Sequence, residues 1–99
     1  MNRRTIKGSV TLLSTSQGGR TEPLRSGYRS ILRFAENPVQ FGFELTLESG
    51  LTSLPPGESA AARFSFWAVD ALPANLIGLQ FEMLEGTRIV GKGQVVQED

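Results

Sequence analysis

The sequence predicts an all-β fold, and three observations carry the prediction. Apolar and polar residues alternate with period two in several short segments, glycine- and proline-rich turns separate those segments, and no internal repeat, heptad or low-complexity tract interrupts the pattern. Taken in order, Ile6, Gly8, Val10 and Leu12 alternate with Lys7, Ser9 and Thr11, which gives a first strand. Segment 27–35 carries two patterns: Arg25, Arg29 and Arg33 recur at helical spacing, while Tyr28, Leu32 and Phe34 alternate as in a strand. The strand is preferred, because Gly27 before it and Asn37-Pro38 after it punctuate a short element.

The cleanest alternation runs from Val39 to Glu48, with every apolar side chain on one face. Ala60, Ala62, Phe64 and Phe66 then point inward with Arg63 and Ser65 outward, and Leu79, Phe81 and Met83 inward with Gln80 and Glu82 outward. Arg88 to Val96 is rich in β-branched residues, with Gly91 and Gly93 marking bends or close backbone approach. Turns are expected at Gln17-Gly18-Gly19, Asn37-Pro38, Pro55-Pro56-Gly57 and Glu85-Gly86, and residues 70–77 leave room for no more than a one-turn helix. Six strands joined this way make a closed barrel or a sandwich, and the six-stranded antiparallel barrel is preferred because closure removes exposed edges. Residues 1–99 form a single domain on this reading, with an ordered core of about residues 5–96 and frayed ends at 1–4 and 97–99.

Composition removes whole classes of chemistry. The chain has no cysteine and no histidine, which rules out a disulfide framework, a thiol nucleophile, a Ser-His-Asp triad and any zinc site built on those residues. Arg3-Arg4 is not followed by the apolar stretch of a secretory signal, and no run is long enough for a membrane span, so a cytoplasmic protein is expected. Glu44 with Glu48, or Glu82 with Glu85, are the conceivable acid–base pairs, but the outward strand positions of Glu44, Glu48 and Glu82 read as solvated surface. Neither Gly18-Gly19 nor Gly91-Lys92-Gly93 has the spacing of a phosphate loop. The expectation is therefore a protein that is not an enzyme and takes no cofactor or metal.

Net charge is zero, yet residues 1–33 hold seven basic side chains and one acid, while residues 34–99 hold three basic side chains and nine acids. Folding can keep these charges apart as a binding field or bring them together as ion pairs, and mutual neutralisation is the preferred expectation. The run from Gly18 to Arg29, with Arg33 beyond it, sets four arginines around Tyr28. Arg20, Arg25 and Arg29 are thus candidates for contacting phosphates or an acidic partner.

At this run the sequence resembles the C-terminal β-barrel domain of elongation factor Tu. The likeness rests on Gly18-Gly19-Arg20, Pro23 and Gly27-Tyr28-Arg29, and continues at Pro56-Gly57-Glu58 and at Glu85-Gly86, Arg88, Val90-Gly91 and Gly93, covering about residues 5–96. The resemblance implies a six-stranded antiparallel barrel, which agrees with the strand count, and a domain that helps hold aminoacyl-tRNA, meets an exchange factor and packs on a GTP-binding domain. The GTP-binding and middle domains are not in this chain, so no GTPase activity carries over. The family's RNA-facing Arg-Glu-Gly maps onto Leu84, Glu85 and Gly86, which keeps Glu-Gly and loses the arginine. Ser30, Ile31 and Leu32 stand where the family continues Pro-Gln-Phe.

These departures favour a non-catalytic protein-interaction module of unknown partner, with binding of tRNA or rRNA as the alternative. Trp67 and Ile31 fall on outward-reading positions and are apolar candidates for a partner surface. The candidate site residues are Arg20, Arg25, Arg29, Trp67, Glu85 and Gly86.

Overall fold

The computed structural model describes residues 3–67 and 69–98. Six strands, β1 (Arg4–Leu12), β2 (Tyr28–Phe34), β3 (Phe41–Leu47), β4 (Ser59–Phe66), β5 (Gln80–Glu85) and β6 (Arg88–Glu98), close into an antiparallel barrel in the order β1-β4-β3-β2-β5-β6. Strands β1, β3 and β4 alternate as their sequences do, whereas β5 buries Met83 and Leu84 in succession at a register shift. Ile6, Val10 and Leu12 on β1, Phe41, Phe43, Leu45 and Leu47 on β3, and Ala62, Phe64 and Phe66 on β4 are buried, with polar neighbours facing out. Segment 28–34 is a strand, paired from Tyr28 to Leu32 with β3 and from Ile31 to Phe34 with β5.

A barrel of six strands is narrow enough to be filled by side chains. Here all six phenylalanines are buried, with ring pairs such as Phe64–Phe81 at 5.1 Å and Phe43–Phe64 at 5.3 Å between centroids. Burying each ring contributes roughly 2–3 kcal/mol. No polar side chain is fully buried among the described residues.

Two long connections close the ends. The stretch 13–27 leads from β1 to β2, which are not neighbours, and crosses one mouth of the barrel, where Leu24 bridges to Leu54 and both are buried. The stretch 67–79 crosses the opposite mouth and buries Leu72 and Leu76; its described residues are turns and bends with no helix. The one helical turn among the described residues lies elsewhere, a 3₁₀ turn at Thr15–Gln17 after Ser14. Arg4 and Glu98, assigned to the frayed ends by the sequence, sit in paired strands and bind one another; the frayed ends expected at residues 1, 2 and 99 lie outside the described residues.

Candidate functional site

Strand alternation delivers polar groups to the mouth crossed by residues 13–27. On β5 the row Phe81, Met83 continues to Glu85, and on β2 the row Phe34, Leu32, Ser30 continues to Tyr28, whose ring lies 6.1 Å from Phe43. The β5–β6 hairpin turns on two residues, Gly86 and Thr87, with Gly86 at φ 64°. A positive φ at the first central position is what glycine supplies there, and it sets Glu85 directly opposite Arg88.

Glu85 gathers two hydrogen-bond donors and a further cation. Its Oε2 accepts a hydrogen bond from the Tyr28 hydroxyl at 2.6 Å and another from Arg20 Nη1, and Arg88 Nη2 stands 3.7 Å from Oε1. The Arg20 guanidinium also lies over the Tyr28 ring, 4.9 Å from its centroid, and its Nε donates to the Glu22 carbonyl. Thr15 Oγ1 donates to the Arg20 carbonyl at 2.8 Å, so the 3₁₀ turn helps hold Arg20 in place. Burial works against the charged Glu85 carboxylate, but the hydrogen bonds from Tyr28 and Arg20 and the charges of Arg20 and Arg88 outweigh it and hold its pKa below the ordinary carboxylate value. Burial and the bond to Glu85 push the Tyr28 phenol above its usual pKa. A carboxylate so held is not poised to exchange protons near neutrality. Beside it opens a small cleft of about 180 Å³ lined by Arg20, Thr21, Glu22, Glu85 and Arg88.

A second cluster lies on the outer wall. Trp67, just past β4, is partly covered by the guanidinium groups of Arg3 and Arg29, 5.2 and 5.1 Å from its ring. Glu44, opposite Arg29 across β2–β3, stands 3.7 Å from Arg29 and 3.9 Å from Arg3. Ile31, the other outward apolar candidate, is half-buried and pairs with Leu84, which in turn pairs with Ile89. Leu84 is buried and offers no group to a ligand.

The six candidates therefore separate into two places and one outlier. Arg20, Glu85 and Gly86 meet at the barrel mouth; Arg29 and Trp67 meet on the outer wall. Arg25 projects from the loop, exposed and without an ion pair among the described residues. Of the four arginines expected around Tyr28, only Arg20 reaches the ring; Arg33 binds Glu82 at 3.0 Å, because odd-numbered positions of β2 face outward. Arg3, Glu44 and Arg88 belong to these clusters and were not among the candidate site residues. Arg88 could have been, since a two-residue glycine turn puts the residues flanking it face to face.

Six of the seven basic side chains in residues 1–33 pair with acids from the rest of the chain: Arg3 and Arg29 with Glu44, Arg4 with Glu98, Lys7 with Glu48, Arg20 with Glu85, and Arg33 with Glu82. An open groove of about 560 Å³ across β1, β6 and β5 is lined by polar and charged side chains such as Ser9, Gln80, Glu82 and Lys92 together with Phe81. Among the described residues no group of acids is placed to hold a metal ion, and no helix is long and apolar enough to cross a membrane. No protein-family model matches the chain.

Proposed function

We propose that the chain is a non-catalytic binding module, related to the C-terminal barrel of elongation factor Tu, whose partner is a protein. The observation that carries this reading is the pairing of the N-terminal basic side chains with acids of the chain itself. A protein that neutralises several phosphates needs cations to spare, and here Arg20 and Arg33 are held by Glu85 and Glu82 while Arg3 and Arg29 share Glu44. Arg20, the best family match, is held by Glu85 and stacked on Tyr28, which is a structural role at the barrel mouth. The buried Leu84 points the same way.

RNA is the second reading, supported by Arg25, which has no ion pair among the described residues, and by the exposed ends of Arg29 and Arg88. The test is fluorescence anisotropy with labelled bulk tRNA across a salt series. Protein binding as the function leads us to expect no saturable tRNA binding below about 100 μM at roughly physiological salt. Tight binding that falls steeply with salt, and is lost in Arg25→Glu/Arg29→Glu without a change in melting temperature, would establish RNA instead. Arg20 is unsuited to this test, because replacing it breaks the contact with Glu85.

A further inference from the structure

We propose that Arg3, Trp67 and Arg29 form a recognition site on the outer wall for a carboxylate of an acidic protein segment. The proposal rests on the protein-binding reading and gives that partner its chemistry. Arg4 pairs with Phe66 across β1–β4, so the next residues outward, Arg3 and Trp67, emerge side by side. Arg29 reaches the same ring from β2, so two guanidinium groups stand 5.2 and 5.1 Å from one indole.

Glu44 is the one carboxylate paired with either cation, and at 3.7 and 3.9 Å it is too far for a hydrogen bond. Neither guanidinium makes a hydrogen bond within the described residues, although their side chains are only 48% and 69% exposed and the ring fixes their position. Arg4 shows the contrast: it donates to Glu98 and to the carbonyls of Pro73 and Ala74. Two positive charges share one negative charge over an aromatic face, and their donors are open to a ligand.

An incoming carboxylate can take a guanidinium edge through paired N–H bonds, and little side-chain freedom is lost because the indole already orders both arginines. The indole gives a neighbouring apolar side chain of the same segment a surface to rest on. A nucleic acid suits this place less well, since a phosphate backbone needs several uncompensated cations, and the two here already share Glu44.

Trp67 is the single tryptophan of the chain, so its emission reports on this site directly. The experiment titrates the full chain, at low salt and into the millimolar range, with acetylated tetraglutamate amide, using tetralysine amide and decauridylate as comparators. A saturable change is expected with tetraglutamate alone, weakened by salt and weakened at least about fivefold in Arg3→Gln/Arg29→Gln. Glu44→Gln removes the resident competitor and is expected to tighten tetraglutamate binding about two- to fivefold, a gain that a folding defect cannot imitate. No response to tetraglutamate, an unchanged affinity in the double variant, no tightening in Glu44→Gln, or a preference for decauridylate would each overturn the site. Ribonuclease-resistant protein capture that survives in the double variant would remove this site and leave the protein-binding reading standing; absence of any such capture by the native chain would remove that reading itself.

Discussion

Glu85, a candidate site residue in the sequence, is held at the barrel mouth by Tyr28 and Arg20 in the structure. Both donate to it, and removing one of them leaves a partly buried carboxylate short of one hydrogen bond. Tyr28→Phe is expected to cost roughly 1–2 kcal/mol, read as a shift of the denaturation midpoint at constant slope. An unchanged midpoint would mean that solvent replaces the hydroxyl at no cost. The sign of the pH effect follows from the depressed pKa. Glu85 contributes stability above the unfolded carboxylate value of 4.5 and loses it as pH falls through the lower folded value. Melting temperature is therefore expected to fall as pH drops below about 5, and to fall less in Glu85→Gln than in the native chain. Gly93 is constrained by space: a Cβ there would stand 2.2 Å from the Ser9 carbonyl oxygen and 2.4 Å from the Phe81 ring. Gly93→Ala is expected to destabilise by about 1–3 kcal/mol, measurable in the same denaturation series.

At the scale of elements, the strands were legible because each records its own environment. The alternation in Phe41–Leu47 and Ser59–Phe66 states which face is buried without reference to any partner. The end plugs were not legible, because Leu24 meets Leu54, and Leu72 and Leu76 cover a mouth, only after the barrel has closed. No local period marks them. The same limit hid the joint at the barrel's other end, where Arg4 ties β1 to Glu98 on β6 and to the carbonyls of Pro73 and Ala74 in the connection. Arg4→Ala is expected to cost roughly 1–2 kcal/mol and to raise amide exchange in residues 75–79 and at the end of β6. Exchange that rises equally throughout the barrel would show that the joint is not local.

For the whole molecule, the split of charge along the chain was visible in sequence, and the pairing that cancels it came from topology. Strand order places β2 between β3 and β5, so Arg29 and Arg33 face Glu44 and Glu82 directly. Of the candidate site, Arg20, Glu85 and Gly86 were found together, as were Arg29 and Trp67; the separation of these two groups by the barrel wall could not be read from a run in which Arg20 and Arg29 are close neighbours. This separation is why a basic stretch does not become a basic patch, and why a protein is the proposed partner.

The most direct measurement is capture from a bacterial-type lysate with the purified full chain, run with and without ribonuclease and repeated with Arg3→Gln/Arg29→Gln, followed by identification of the bound RNA and protein. The expected result is a defined set of proteins that survives ribonuclease, with no enrichment of tRNA or rRNA. Retention of tRNA or rRNA, with the accompanying proteins lost on ribonuclease treatment, would contradict the account and make the chain an RNA-binding domain.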